Sequence, residues 1–178
     1  MSSMNYQNHK RVIYSDPSPY PEIKAEEQNP YYVQLLMDDY AGIISEFTAI
    51  NQYLYHYFYF REIDKELGEL LENVAIIEML HMEILAELII KLGGSPIIRG
   101  SHSTCSNYWN GSFIYYGIHL CDRLKADIDA EYKAVKVYKE HIKKIDDPHI
   151  KSILERIILD EMVHIKLFSD ALEKYCRL

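Results

Sequence analysis

Four long stretches of this chain repeat apolar residues every three or four positions, and each places a glutamate near the middle of its apolar stripe. That spacing aligns side chains along one face of an α-helix, so each stretch predicts a helix with one inward face. The first runs from Tyr31 to about Arg61 and carries Leu36, Tyr40, Ile43, Glu46, Ile50, Tyr53, Tyr57 and Phe60. The second follows Asp64, a suitable N-cap, and stops at Gly93-Gly94 just before Pro96. Its stripe is Leu71, Val74, Glu78, His81, Leu85, Leu88 and Leu92. The third carries Cys121, Leu124, Ile128, Glu131, Val135, Tyr138, Ile142 and Ile145. The fourth opens at Asp147-Pro148, a cap followed by a first-turn proline, and carries Ile150, Leu154, Ile157, Glu161, His164, Phe168 and Ala171. No segment alternates with a period of two between turn signals, so no sheet is expected.

Helices of roughly 28 residues would each be about 40 Å long. Residues 93–117 are rich in Gly, Ser and Asn, with Tyr108, Trp109, Phe113, Tyr115 and Tyr116 among them. This connection is too long for a tight hairpin and reads as a crossover. The expected architecture is therefore all-α, a four-helix bundle running up-down-down-up with one long crossover between helices two and three. Four of the six prolines (Pro17, Pro19, Pro21 and Pro30) fall in the first thirty residues. Residues 1–30 accordingly read as an extended arm in front of a bundle domain at 31–178.

The whole chain has 178 residues, the size of one domain, and its 48% hydrophobic and 26% charged residues are those of a globular protein. With 19 basic against 27 acidic residues the net charge is −8, which disfavours a nucleic-acid partner. No apolar run reaches membrane-spanning length, so no membrane association is expected. The polar N-terminal segment, with no apolar core after Lys10 and Arg11, predicts no secretory signal. The cysteines Cys105, Cys121 and Cys176 form no CxxC pair and, being odd in number, cannot all pair within the chain. A reducing cytoplasm is the expected compartment.

The glutamates are the informative residues. Helices two and four add a histidine three positions on, so Glu78 with His81 and Glu161 with His164 each share one helix face a turn apart. Counting alone gives two such pairs little weight; their position does, because each is flanked by Leu and Ile one turn away. Glutamate is almost never fully buried unpaired, and several carboxylates in one dry layer would repel and lose hydration at a cost of several kcal/mol per ion. No lysine or arginine lies on these stripes to offset them. Two divalent cations would balance four carboxylates, and two neutral imidazoles would complete the shell. A glutamate from each of two helices plus Glu-x-x-His from the other two is the ligand set of dinuclear carboxylate bundles. Mixed carboxylate and imidazole ligation favours iron or manganese, with zinc possible. For any one of these residues the plainer alternative is a solvated helix face.

At these motifs the chain resembles the ferritin-like superfamily, and bacterioferritins most closely. Ser45-Glu-Phe-Thr-Ala-Ile-Asn-Gln-Tyr53 followed by His56 is similar to their first-helix signature. Glu78-Met-Leu-His81, ending in Lys91-Leu-Gly-Gly-Ser-Pro96, is similar to the second. Leu124-Lys-Ala-Asp-Ile-Asp-Ala-Glu131 and Leu159-Asp-Glu-Met-Val-His-Ile165 are similar to the third and fourth. Rubrerythrins and manganese catalases share the bundle and much of the ligand set. The resemblance, over roughly residues 31–175, implies that Glu78 and Glu161 bridge two metals. It makes Glu46 and Glu131 terminal ligands, with His81 and His164 likewise. Tyr53 stands where bacterioferritins hold a redox-active tyrosine; the alternative is a core tyrosine. Tyr138 bears the same relation to Glu131. Met79 falls at the haem-ligating position of bacterioferritins, although methionine is also a common gap-filler in helical cores, and haem is the minority expectation. The chain lacks room for the short fifth helix of bacterioferritin cages, so a homodimer is expected instead of a storage shell. Ala134 stands where rubrerythrins carry a further carboxylate, and no rubredoxin-type cysteine pairs occur.

A dinuclear iron or manganese centre supports two-electron chemistry on dioxygen or peroxide. Three functions follow: an oxidoreductase acting on Fe(II) and dioxygen or on hydrogen peroxide, a manganese catalase-like dismutation of hydrogen peroxide, or a non-catalytic metal-binding or coat protein. The aromatic run Tyr53–Phe60 has rings all around its helix, which predicts a second buried surface, either a dimer contact or the crossover packed over it.

Overall fold

A computed structural model describes residues 14–176. Its helices are α1 (Pro30–Ala41), α2 (Glu46–Phe60), α3 (Lys65–Lys91), α4 (Leu120–Lys144) and α5 (Pro148–Tyr175), with a 3₁₀ turn at Gly111–Phe113. Among the described residues there is no strand, only an isolated bridge between Arg99 and Tyr108. The bundle is thus all-helical, with α2 packed on α3 and α4 on α5 as its two most extensive pairings. No described helix is long and apolar enough to cross a membrane.

The first rod is not the continuous helix that its periodicity predicts. It breaks at Gly42, and Ile43, assigned to the inward stripe, is 42% exposed. The cause is the crossover. Asp38 on α1 accepts hydrogen bonds from the backbone N–H groups of Ser101, His102 and Ser103, at 2.8, 2.9 and 3.2 Å, and from the Ser103 hydroxyl. This draws the loop so close that a Cβ on Gly42 would collide with the Asp38 carbonyl and the Ser103 hydroxyl. The freed Gly42 carbonyl accepts from Ser45 Oγ at 2.9 Å and Thr48 Oγ1 at 3.0 Å. Ser45 caps α2 by accepting from the Thr48 N–H. The break therefore makes Glu46 the first residue of a helix, where the positive end of the macrodipole favours a carboxylate.

The other boundaries follow the capping chemistry. Asp64 caps α3, Asp147 with Pro148 opens α5, and Gly93 closes α3 with φ of 86°. Two apolar clusters lie above and below the bundle middle: Leu36, Leu85, Leu88, Leu154 and Ile157 in one, Leu71, Val74, Leu124 and Phe168 in the other. The arm residues 14–29 contain no long helix and run across α3 and α5, with Glu26 N–H donating to Asp147 and Asn29 N–H to the Leu92 carbonyl. Residues 1–13 of the arm lie outside the described residues.

Of the three cysteines one is left over, as their odd number requires. Cys121 and Cys176 form a disulfide with Cα atoms 5.8 Å apart, tying the start of α4 to the end of α5, and only Cys105 is free. An odd count did not preclude one pair, and the argument it gave for a reducing compartment lapses.

Candidate metal centre

Between the two apolar clusters, Glu46, Glu78, His81, Glu131, Glu161 and His164 converge from four helices, all buried. They form two overlapping quartets: Glu46, Glu78, His81 and Glu161, then Glu78, Glu131, Glu161 and His164. Within each quartet one ligand-type atom per residue lies within 4.8 Å of the others, and Glu78 and Glu161 belong to both. Buried apolar residues lie one turn from each glutamate, Ile50 beside Glu46, Val74 beside Glu78, Val135 beside Glu131 and Ile157 beside Glu161, so the carboxylates sit in a dry layer.

The imidazoles are set for ligation by their outer edges. His164 Nε2 lies 3.0 Å from the Tyr14 carbonyl oxygen, which can only accept, so Nε2 carries a proton. His81 Nε2 lies 3.0 Å from an Asp160 carboxylate oxygen and 3.1 Å from the Tyr20 hydroxyl. Both rings therefore turn Nδ1 inward. His81 Nδ1 sits 2.8 Å from Glu78 and 3.3 Å from Glu161, and His164 Nδ1 sits 2.9 Å from Glu78 and 3.2 Å from Glu161. An inward nitrogen with its opposite N–H fixed by a carboxylate or carbonyl is how metal-binding histidines are held.

Charge in this layer is unsettled without cations. Burial, then repulsion from Glu78 and Glu161, pushes the Glu46 carboxyl well above its ordinary range, and Glu131 is raised likewise. For Glu78 and Glu161 burial acts in the same direction, but the two imidazoles win and hold both below it. His81 and His164 are held well above the ordinary imidazole value by the surrounding carboxylates, against the effect of burial. In the metal-free protein, protons thus do what cations would do. Glu78 Oε1 and Glu161 Oε1 are buried without a well-formed hydrogen bond, although His164 Nδ1 lies 2.9 Å from the first and His81 Nδ1 3.3 Å from the second. Buried oxygens poorly served by hydrogen bonds, on the two carboxylates common to both quartets, suit cation ligands. The donor set, two imidazoles and four carboxylates, fits a pair of iron or manganese ions.

Tyrosines brace the outer carboxylates crosswise. Tyr53 on α2 donates to Glu131 on α4 at 2.6 Å, and Tyr138 on α4 donates to Glu46 on α2. Burial first, then nearby carboxylates, raise both phenols well above their ordinary value, so they stay donors. Tyr53 also packs edge-on against Phe168. A cavity of about 230 Å³ leads to Glu46, Glu78, Glu131 and Glu161 between α2 and α4, past Ala49, Ala126, Ala130 and Ala134. Met79 is not brought to this layer; it is 44% exposed on the outside of α3.

Several buried polar residues around the centre escaped the stripe analysis. Asp39, on the cavity wall, pairs with His141 at 2.9 Å. Asp127 accepts from Gln52 at 2.8 Å and faces His56 at 2.9 Å, while Gln52 and His56 grip the N–H and carbonyl of Tyr115 in the crossover. The spacing Asp127, Glu131, Tyr138 was a usable signal, since steps of four and seven share a helix face. Arg156 and Arg123 are also buried, off the glutamate stripes.

Fold and site together define a helical bundle whose carboxylate and histidine clusters could hold two metal ions. Residues 42–178 match the family described as Ferritin-like domain, and the chain belongs to that family. It is 27% identical over 171 residues to a probable manganese catalase of Clostridium acetobutylicum, covering 86% of this chain and 75% of that one. The manganese catalase KatB from Anabaena superimposes with a TM-score of 0.80 at 25% identity, covering 90% of this chain and 80% of that one. The Mycobacterium tuberculosis bacterioferritin BfrA superimposes with 0.67 at 26% identity, covering 83% and 87%.

Proposed function

We propose that the chain is a dimetal oxidoreductase that dismutates hydrogen peroxide at a dimanganese centre held by Glu46, Glu78, His81, Glu131, Glu161 and His164. The observation that carries this reading is the pair of overlapping quartets sharing Glu78 and Glu161. Likeness to two manganese catalases, one along most of its sequence and one with a TM-score of 0.80, favours manganese and peroxide over the iron alternative. When bound, the ions would supply the paired one-electron changes that turn two peroxide molecules into dioxygen and two waters.

The protein's own groups do the rest. Glu78 and Glu161, common to both quartets, would hold the ions together with Glu46 and Glu131, whose carboxylates are steered by the phenols of Tyr138 and Tyr53. The cavity of about 230 Å³ has room to admit molecules of peroxide size to the carboxylates. Asp39, raised by burial and held by His141, is a buried titratable group on the cavity wall and the candidate to take and return the protons that the reaction moves. Manganese-loaded protein should evolve oxygen from hydrogen peroxide without added reductant; fully loaded protein that evolves none refutes the reading.

A second reading has one observation in its favour. Tyr53 bonds directly to Glu131, at the position where bacterioferritins carry their redox-active tyrosine, so the iron form would oxidise Fe(II) with dioxygen. Fe(II)-dependent oxygen uptake in place of peroxide-dependent oxygen release would select it, and failure of both would leave a non-catalytic metal-binding or coat role. Met79 as a haem ligand predicts a Soret band in protein purified from its host. We also propose a homodimer, for which light scattering should give about twice the 21.0 kDa chain mass.

A further inference from the structure

We propose that the arm segment Tyr14–Tyr20 is a working part of the metal centre, a clamp that positions both ligand histidines and whose docking is coupled to metal binding. The inference rests on the dimetal reading above, and it deepens that reading by giving the arm a role.

The outer nitrogens of both histidines end on the arm. His164 Nε2 meets the Tyr14 carbonyl at 3.0 Å, and His81 Nε2 meets the Tyr20 hydroxyl at 3.1 Å. Both imidazoles are completely buried. The arm is fastened by two residues of α5 one turn apart. Arg156 donates through Nε to the Ser18 carbonyl at 2.8 Å and through Nη2 to the Asp16 carbonyl at 2.7 Å, and its guanidinium lies 4.1 Å from the Tyr20 ring centre. Asp160 Oδ1 accepts from the Asp16 N–H at 2.7 Å and from Arg156 at 2.7 Å, while its Oδ2 accepts from the Tyr20 hydroxyl and faces His81 Nε2 at 3.0 Å. Asp16 in turn accepts from the Ser18 N–H at 2.9 Å, which fixes the bend between them.

This network joins three elements at one point: α5 through Arg156 and Asp160, α3 through His81, and the arm through Asp16, Ser18 and Tyr20. A ring nitrogen can coordinate at a fixed angle only if its opposite N–H is held, and loss of such an outer partner typically costs about 10–100-fold in metal affinity. If docking of the arm strengthens metal binding, metal must strengthen docking of the arm by the same factor. Tyr20 and Arg156 are positioning residues in this scheme, acting on the metal through His81.

The test uses the full chain and manganese(II) alone, with affinity read by chelator competition and amide exchange read by mass spectrometry. In wild type, binding of two manganese ions should slow exchange at Asp16 and Ser18 by about tenfold. Tyr20→Phe should keep its helical circular dichroism and lose about tenfold in affinity, Arg156→Gln should lose more, and Glu22→Ala, exposed on the same arm, should lose nothing. Wild type that binds two ions with no change in arm exchange overturns the clamp while leaving the dimetal reading intact, and does so even if a variant misfolds. Wild type that binds no manganese removes the dimetal reading and the clamp with it.

Discussion

Loading the metal-free protein with two divalent ions should expel protons, and the structure sets how many. The layer contains four carboxyl groups and two imidazoles in mutual contact. Without metal, His81 and His164 are held protonated by their carboxylate neighbours, and Glu46 and Glu131 are pushed towards the neutral acid, first by burial and then by Glu78 and Glu161. Only Glu78 and Glu161 are driven towards the charged form. A metal ligand must be deprotonated, so loading releases the two imidazole protons and whatever protons Glu46 and Glu131 hold. The expected release is up to about four protons per chain, one from each of these four raised groups, growing as the solution is made more acidic. The sign is fixed: groups raised above their ordinary values hold protons until pH climbs past them, so metal affinity weakens as pH falls, by about 1.4 kcal/mol per pH unit for each proton displaced. Calorimetric titration with manganese(II) in two buffers of different ionisation enthalpy reads the number directly. Release below about one proton, or affinity indifferent to pH, would mean that the six groups are not bound together by charge, and the account of the layer would fail.

Further expectations touch separate parts of the molecule. Tyr53→Phe removes the 2.6 Å bond to Glu131 and should lower oxygen evolution from peroxide while leaving two ions bound, as checked by elemental analysis beside the rate. Phe168→Ala empties a fully buried site beside the Tyr53 ring and should cost about 3–5 kcal/mol in urea unfolding. Asp38→Ala strands the N–H groups of residues 101–103 and should cost about 1–3 kcal/mol, with faster amide exchange confined to that part of the crossover. Reducing Cys121–Cys176, which closes a span of 55 residues, should cost about 4 kcal/mol on chain-entropy grounds, read as a lower denaturant midpoint with dithiothreitol.

The parts of this protein that periodicity encodes were legible in its sequence. The stripe of α3 from Leu71 to Leu92 is buried at every position assigned to it, and the glutamates stood out because carboxylates on an apolar stripe contradict their surroundings. What periodicity does not encode was hidden. Gly42 interrupts the first rod because a loop sixty residues later presses on it, and nothing within a helical repeat signals that pressure. Arg156 and Asp160 form a pair spaced by four, a pattern shared by many solvated pairs such as Lys166 and Asp170. Only the arm laid across them distinguishes the buried pair from the exposed one. Cys121 and Cys176 meet because two helix ends coincide in space, which an odd cysteine count could not show.

The most direct measurement is the metal content of protein purified from its natural host, set against the same measurement on Glu78→Ala. Two manganese ions per chain, falling to a small fraction when the shared carboxylate is removed, is the result expected here. One ion or none in the native protein, or a content that Glu78→Ala leaves untouched, would contradict it.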